Sequence, residues 1–339
     1  MTLDLRAEQT VGADQLADSS IIILIPVFND WEALGLLIQA LDEKLAESKL
    51  NADLLLVNDG STSGRDRSCW EERQYLAVRT IEILELSRNL GHQRAIAVGL
   101  AYVQHNRRCK AVVIMDADGE DSPEDVPRLI EAVASQQESR IVFAQRAKRS
   151  ESKVFKVFYG LYKAFYFLLT GAKVRFGNFS VVPYDLLPKL VVVSEIWNHY
   201  AAGVMKARLP YIEIPTKRGK RLSGHSKMNF VSLVIHGLGA VSVHSDVIGV
   251  RALVAMLSLI LVSLAGILVV VILRLFTDLA IPGWASFVTL SFFVLLMQAV
   301  MMSLLFVLII LSNRSNVVFI PGRDYEHFVL SIKWVYSYQ

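Results

Sequence analysis

Four apolar runs, each closed by polar residues, place the strongest constraint on the fold of this chain. Each run is short, continuous and rich in Val, Ile and Leu, which is typical of strands buried on both faces of a sheet. The first run is followed by leucines and isoleucines at helical spacing over residues 34–45. Alternating strands and helices predict an α/β fold with a mostly parallel sheet. The four runs are 21–27, 54–57, 80–86 and 112–115.

The polar residues that close these runs are mostly acidic or basic. Asp30 follows the first run, Asp59 the second and Arg88 the third, while Asp116 and Asp118 follow the fourth. Ligands of open α/β sheets bind just beyond the carboxyl ends of the strands. We therefore expect these side chains to converge along one edge of the sheet.

The acidic stretch after the fourth run has two interpretations. Asp116 and Asp118 stand one residue apart, and such a pair can hold a hard divalent cation that in turn holds a diphosphate. Alternatively, the stretch is a solvated acidic turn, because Ser122-Pro123-Glu124 is a suitable helix start. The pattern of this stretch alone does not decide between them.

Composition and charge exclude several classes of protein. The net charge of +3 over 339 residues is too small to indicate a nucleic-acid partner. Cys69 and Cys109 are too few for a disulfide framework and lack metal-ligand spacing. Residues 1–19 form a polar leader without the apolar core of a signal peptide, so we expect the first 240 residues to remain in the cytoplasm.

Two uncharged stretches near the C-terminus, 252–273 and 280–312, are each long enough to cross a bilayer. Together they predict a transmembrane hairpin over residues 247–312, which returns the tail 313–339 to the cytoplasmic side. The short connection carries Arg274 and Asp278, whereas the other side carries most of the flanking basic residues, in agreement with the positive-inside rule. Those residues are Arg251, Arg314, Arg323 and Lys333.

Two further stretches, about 153–170 and 226–246, predict amphipathic helices at the membrane interface. The first is rich in Phe, Tyr and Leu and carries Lys153, Lys156 and Lys163 on one helical face. A buried core helix with snorkelling lysines is the alternative interpretation.

The most basic run of the chain, 217–227, immediately precedes the second of these helices. It can capture an anionic lipid headgroup, or it can attract anionic phospholipids in general. Beside a membrane, an acidic strand end suits a sugar nucleotide, because a bound Mg²⁺ or Mn²⁺ neutralises the leaving diphosphate. Asp30 and Asp59 then suit the base and ribose, and Arg88 and Arg146 suit phosphate oxygens or sugar hydroxyls.

Five short motifs in this order resemble glycosyltransferase family 2, and within it the polyprenyl-phosphate glycosyltransferases, such as dolichol-phosphate mannose synthase. The resemblance covers about residues 20–312. The motifs are Pro26-Val27-Phe28-Asn29-Asp30, Asn58-Asp59-Gly60-Ser61, Arg88-Asn89-Leu90-Gly91, Asp116-Ala117-Asp118 with Pro123-Glu124, and Arg221 with Gly224, Ser226 and Lys227.

The resemblance implies a GT-A fold, a Rossmann-like and mostly parallel sheet, over residues 20–225. It implies an inverting transferase of the inner membrane, with its catalytic domain and both termini cytoplasmic, that moves a sugar from a UDP- or GDP-sugar to a polyprenyl phosphate. A homo-oligomer is compatible with it. The implied nucleotide-binding residues are Pro26, Asp30, Asp59, Arg88 and Asp116. The implied catalytic residues are Asp118, Asp116 and Arg146, the ligands of Mg²⁺ or Mn²⁺ are Asp118, Asp116 and Glu120, and the acceptor-phosphate residues are Arg149, Arg221, Ser226 and Lys227.

The sequence departs from the family pattern at three places. Glu120 stands where the family usually carries Gln, which adds a negative charge beside the expected metal. Asn178 and Ser180 stand where members often show the acid and the base of G-D-F-R. The tail lacks the usual G-E-Y-x-G-R pattern.

Two other functions remain open at the level of sequence. A polysaccharide synthase needs more membrane helices and usually carries Q-x-x-R-W, and no Trp here follows Arg. A membrane-bound sensor of sugar nucleotides without transferase activity is favoured by Glu120, Asn178 and Ser180.

Overall fold

The structure, a computed structural model, divides into two compact units. The first contains Met1–Glu151, Val174–Val243 and Phe319–Gln339, and the second contains Ser152–Lys173 and His244–Val318. The leader, most of the helix expected at about 153–170 and residues 225–236 lie outside the described residues. The described residues are 20–64, 73–136, 138–146, 160, 164, 166–171, 177–224, 237–277, 283–315 and 319–338.

An eight-stranded sheet forms the centre of the first unit, with the strand order β7-β5-β6-β4-β1-β2-β3-β8. Strands β4, β1, β2 and β3 run parallel, as do β5 and β7, whereas β6 and β8 run antiparallel to their neighbours. This arrangement confirms the expected mostly parallel α/β sheet of GT-A type. The strands are β1 (Ile21–Val27), β2 (Ala52–Asn58), β3 (Val78–Leu86), β4 (Ala111–Ile114), β5 (Ile141–Arg146), β6 (Ser180–Pro183), β7 (Tyr211–Thr216) and β8 (Val329–Ser337).

Three helices pack against this sheet: α1 (Trp31–Glu47), α2 (His92–Asn106) and α3 (Asp125–Ala134). Buried leucines and isoleucines of α1 recur at the spacing expected from the sequence, so one helical face meets the sheet. The apolar side chains form two clusters, one that includes α2 and one that includes α1 and α3. Both faces of the central strands are therefore covered, which explains their continuous apolar sequence.

Shorter elements connect β6 to β7. They are a 3₁₀ turn at Tyr184–Leu186, helices at Leu187–Leu190 and Tyr200–Lys206, and a 3₁₀ turn at Ser194–Trp197.

Residues 73–77, immediately before β3, are not helical. The Asp42 carboxylate accepts N–H groups from Leu76, Ala77 and Val78. Those contacts hold the bend at Leu76 and Ala77 through which the chain enters β3.

The C-terminal tail completes the sheet of the first unit. After short turns at Pro321–Asp324 and Tyr325–Phe328, strand β8 pairs antiparallel with β3. The guanidinium of Arg107 lies 4.5 Å from the centre of the Trp334 ring and forms an ion pair with Glu82. Phe319 and Ile320, which precede these turns, are not in a strand.

The second unit contains two helices, Ser245–Phe276 and Trp284–Ser315, that pack against each other. Both are long and apolar enough to cross a membrane. Most of their large apolar side chains are exposed. Apolar surface of this extent is typical of sites that contact a membrane or another protein. Of the helix expected at about 153–170, the described residues Gly160, Ala164 and Tyr166–Thr170 are helical.

Candidate active site

The polar residues at the strand ends are brought together at one edge of the sheet. Strand β1 lies between β4 and β2, and all three run parallel, so their carboxyl ends point the same way. Asp30 follows β1, Asp59 follows β2, and Asp116 and Asp118 follow β4. The convergence expected from the sequence is therefore present.

The Asp59 carboxylate holds the turn that follows β3. Its two oxygens accept N–H groups from Leu90, at 2.6 Å, and from Gly91, at 2.9 Å. Burial raises the pKa of Asp59, and these two N–H donors oppose the shift. Because Gly60 has a φ of +67° and a Cβ there would lie 2.7 Å from the Asn89 nitrogen, the two turns approach more closely than a side chain would permit.

Two asparagines hold the loop that follows Asp59, residues 61–63. Asn29 Oδ1 accepts N–H groups from Thr62 and Ser63, each at 2.8 Å. Asn58 Oδ1 accepts the N–H of Ser61 at 3.0 Å. Backbone groups therefore hold this part of the strand edge in one conformation.

The acidic turn (residues 116–121) follows β4. Asp118 Oδ1 accepts the N–H of Glu120 at 2.9 Å, and the buried Asp121 accepts the N–H of Asp116 at 3.0 Å. Burial raises the pKa of Asp118, and the charges of Asp116 and Glu120 act in the same direction, against the Glu120 N–H and Arg221. A carboxylate that is costly to ionise in the unbound protein gains from a cationic partner.

His92, the first residue of α2, also contacts the acidic turn, at Asp116. Its Nε2 lies 3.1 Å from Asp116 Oδ1 and 3.0 Å from Asn178 Nδ2. Burial by itself lowers the pKa of His92, but the charge of Asp116 and its hydrogen bond outweigh that effect and raise it. Both contacts reach the same ring nitrogen, so the protonation state of His92 decides which group donates.

The position where the family often carries arginine is buried here. Ser180 is fully buried, and its hydroxyl is 2.9 Å from the Tyr200 hydroxyl and 2.9 Å from the Asn178 carbonyl oxygen. Both residues differ from the family pattern at this motif. Ser180 is part of the buried core, whereas Asn178 contacts His92 beside the acidic turn.

The basic segment (residues 217–224) folds back against the acidic turn. Arg221 bridges two strand ends, with Nη1 3.0 Å from Asp118 Oδ2 and Nη2 3.4 Å from Asp30 Oδ2. Arg218 forms an ion pair with Glu120. A predicted acceptor residue therefore contacts residues predicted for the donor and the metal.

Apart from Asp59, whose carboxylate holds the turn after β3, the predicted site residues fall into three groups. Asp30, Asp116, Asp118, Glu120 and Arg221 contact one another directly or through a shared partner. Pro26 is buried within β1, Arg88 is exposed beside the Asp59 turn, and Arg146 ends β5 with its side chain outside the described atoms. Arg149, Ser226 and Lys227 lie outside the described residues.

Sequence reasoning missed two contributors to this edge, Asp121 and the individual role of Arg218. Asp121 continues the run Asp116-Ala117-Asp118-Gly119-Glu120, so its acidic neighbours were an available signal. Nothing in the local sequence distinguishes Arg218 from the other basic residues of its run.

The donor set for a divalent cation consists of carboxylates on one turn. Within the described part of the chain, no group of three His, Cys, Asp or Glu side chains has a metal-binding arrangement. Two carboxylates are nonetheless compatible with Mg²⁺, which is usually bound by one or two carboxylates together with substrate phosphates and water.

Comparison with known proteins places this chain in a family. Residues 22–185 match the model of glycosyl transferase family 2. An uncharacterized glycosyltransferase, YkcC of Bacillus subtilis (strain 168), is 30% identical over 280 residues, which are 79% of this chain and 82% of that protein.

A second relative is the undecaprenyl-phosphate 4-deoxy-4-formamido-L-arabinose transferase of Edwardsiella ictaluri (strain 93-146). It is 26% identical over 223 residues, which are 62% of this chain and 64% of that protein. The chain thus spans less than two thirds of the length of that transferase.

Among solved structures, glucosyl-3-phosphoglycerate synthase from Mycobacterium tuberculosis with Mn²⁺, UDP-glucose and phosphoglyceric acid superposes with a TM-score of 0.49 and 12% identity. The superposition covers 71% of this chain and 86% of that one. The motifs at the strand ends, the match over 22–185 and the identity with a relative along most of its length agree with one another. This chain belongs to glycosyltransferase family 2.

Proposed function

We propose that this glycosyltransferase is membrane-anchored and inverting, and that it transfers a sugar from a nucleotide diphosphate sugar to a polyprenyl phosphate at the cytoplasmic face of the inner membrane. The observation that carries the proposal is the contact of Arg221 with both Asp30 and Asp118. That contact joins the acidic strand ends to the basic segment that precedes the apolar helices. A soluble diphosphate and an anionic lipid headgroup can then meet at one edge of the sheet.

The donor half of the site consists of the rigid turns after β1, β2 and β3. Asp30 and Asp59 suit the base and ribose, Arg88 suits the phosphates, and Pro26 fixes the end of β1. Because Asp59 already holds the Leu90 and Gly91 N–H groups, its contribution is to shape this pocket as much as to contact the nucleotide. Pre-organisation of this kind reduces the entropy lost when the donor binds.

Asp116 and Asp118 would hold Mg²⁺ or Mn²⁺ together with the donor diphosphate. Asp118 pairs with the cationic side chain of Arg221, and Asp116 lies beside the imidazole of His92, so both carboxylates already have partners that favour their ionised form. A bound divalent cation supplies neutralisation of the charge that develops on the leaving diphosphate. Glu120 was also predicted as a ligand, and its carboxylate is paired with Arg218.

The acceptor half consists of Arg221, with Arg149, Ser226 and Lys227 as further predicted contacts. A lipid phosphate is an anion at neutral pH, so it attacks the anomeric carbon without needing a general base as strong as a sugar hydroxyl would need. Catalysis then depends on positioning and on electrostatic stabilisation, to which Arg146 contributes at the end of β5. Attack on the face opposite the leaving group gives inversion.

The path of the chain supports the membrane topology. The first unit is left after Val243 and rejoined at Phe319, and the two long apolar helices lie between these points. Because β8 pairs with β3, the chain rejoins the sheet that it left, and this requires that a membrane be crossed an even number of times. The two helices satisfy this requirement.

The proposal is tested with the full chain purified in detergent. A panel of labelled UDP- and GDP-sugars is supplied with Mg²⁺ and undecaprenyl phosphate, and label is measured in the organic phase. Labelled lipid with one donor is the expected result. Binding of a sugar nucleotide without transfer from any member of the panel would contradict the proposal. That result would favour the alternative function, a membrane-bound sensor of sugar nucleotides.

A further inference from the structure

The pairing between the acidic turn and the basic segment extends over several residues. Residues Asp121 and Arg218 form an antiparallel bridge, and the N–H of Gly219 donates to the Glu120 carbonyl at 2.9 Å. Further along, the N–H of Leu222 donates to the Asp118 carbonyl at 3.0 Å. The basic segment therefore runs antiparallel to the acidic turn with a defined register.

The register leaves no space between the two strands of this pairing. Gly119 has a φ of +81°, and a Cβ at that position would lie 2.5 Å from Leu222 Cγ. The start of the segment is also fixed, because Arg128 of α3 donates to the Pro215 carbonyl at 2.5 Å and Asp125 accepts the N–H of Lys217. These contacts determine where Arg221 lies.

Glu120 supports this pairing with both its backbone and its side chain. Its carbonyl accepts the Gly219 N–H, and its carboxylate pairs with the guanidinium of Arg218. The two side chains are 20% and 26% exposed, so the pair is partly shielded from water. A charged partner makes such a hydrogen bond stronger than the glutamine usual at this position would.

The position of Arg221 depends on further contacts of the basic segment when its own carboxylate partners bind other groups. A divalent cation held by Asp118 would compete with Arg221 for that carboxylate and would repel its guanidinium. The Glu120–Arg218 pair uses neither the Asp30 nor the Asp118 carboxylate, so it would not be lost in this competition.

We infer that Glu120 is a positioning residue for the acceptor rather than a metal ligand. Through Arg218 it holds the basic segment against the acidic turn, so that Arg221 remains at the site when its guanidinium turns to the phosphate of the acceptor. This inference rests on the proposed function, which assigns Arg221 to that phosphate. It accounts for the departure from Gln at position 120.

Three variants test the inference: Glu120→Gln, Arg218→Gln and the double variant. We expect each single variant to raise KM for undecaprenyl phosphate about fivefold, as for loss of a partly exposed ion pair. KM for the donor and the half-saturating Mg²⁺ concentration stay at the wild-type values. The double variant matches the single ones, because both remove the same interaction.

The matched control is Glu131→Gln, which removes one negative charge from the exposed face of α3 and leaves all three constants unchanged. A rise in half-saturating Mg²⁺ or in donor KM for Glu120→Gln, with Arg218→Gln unaffected, would identify Glu120 as a metal ligand and overturn the inference. Additive effects in the double variant would overturn it as well.

A second measurement needs no substrate and separates this inference from the proposed function. Trypsin cuts after Lys217, Arg218, Lys220 and Arg221, and we expect faster cleavage in this segment in Glu120→Gln than in wild type or Glu131→Gln. Unchanged cleavage would show that Glu120 does not hold the segment. If the wild type transfers no sugar from any donor, the proposed function fails, while the tryptic comparison still decides the anchoring role.

Discussion

The Asp59 turn and the acidic turn lie at the ends of strands in the same sheet, but they are held in different ways. The Asp59 carboxylate is bound by backbone N–H groups of Leu90 and Gly91. The Asp118 carboxylate shares its partners between a backbone N–H and the Arg221 side chain. The partners of Asp59 are therefore backbone groups, whereas one partner of Asp118 is a side chain that can rotate away.

This difference separates contacts that are fixed by the backbone from contacts in which a side chain can change its partner. Backbone donors keep their positions as long as the turns are folded, and salt affects them little. An arginine can leave a carboxylate for a phosphate, because both accept its planar fork of N–H groups. The donor side is thus rigid, whereas the side facing metal and acceptor can change partners.

Replacement of Asp118 by Asn tests the exchangeable side most severely. The variant keeps an oxygen for the Glu120 N–H but loses the charge that would hold a divalent cation. We expect turnover to fall roughly 1000-fold, in line with several kcal/mol of transition-state stabilisation by such an ion. The measurement is labelled lipid formed per minute, and Glu131→Gln is the control. Unchanged turnover would remove the metal assignment.

Replacement of Asp59 by Ala tests the rigid side. The Leu90 and Gly91 N–H groups lose their acceptors inside the fold, so we expect the free energy of unfolding to fall by roughly 2–4 kcal/mol. Asp59→Asn keeps one acceptor oxygen, and its loss is expected to be smaller. Thermal unfolding of the detergent-solubilised chain compares the two, and equal stability of Ala and wild type would contradict the role given to this carboxylate.

Replacement of Arg221 by Lys keeps the charge and removes the fork. A single ammonium cannot bridge Asp30 and Asp118 as the guanidinium does, nor bind a phosphate through two N–H groups. We expect KM for undecaprenyl phosphate to rise about tenfold, the cost of one charge-assisted hydrogen bond. Arg140→Lys, an exposed site at the start of β5, is the control. A rise in donor KM alone would assign Arg221 to the other substrate.

Salt distinguishes the two turns without any substitution. An increase in ionic strength from about 0.01 M to about 1 M shortens the Debye length from about 30 Å to about 3 Å. We expect hydrogen exchange at the Gly219 and Leu222 amides to accelerate, because ion pairs hold that segment, while exchange at Leu90 and Gly91 stays constant. Equal responses in both regions would remove the distinction.

The smallest expected effect is the acid dependence of the Asp59 turn. Burial raises the pKa of Asp59, so between its ordinary value near 3.8 and the raised value the folded chain binds more protons than the unfolded chain. Stability from this group is therefore present below the ordinary value and is lost as pH rises through the folded pKa. The difference in unfolding free energy between wild type and Asp59→Asn, measured across this range, should fall with rising pH. A difference independent of pH would contradict the shift.

Much of the fold was predictable because its signals are local. The runs 21–27, 54–57 and 80–86 became β1, β2 and β3, and the spacing over 34–45 became α1. The two uncharged stretches became the two long helices. Period and polarity act over a few residues, so a single chain displays them. The bend before β3 was not predictable in this way, because it is held by the carboxylate of Asp42, which is distant in the sequence.

By itself, the sequence determined which residues end the strands and which family they resemble, because both depend on short runs of neighbouring residues. The tertiary structure decided which distant groups meet. Strand β8 pairs with β3, although the two long apolar helices lie between these strands in the sequence. Arg221 contacts Asp30, and Arg218 contacts Glu120. Ion pairs carry no periodic signal, and the choice among many charges depends on the register in which separate loops pack.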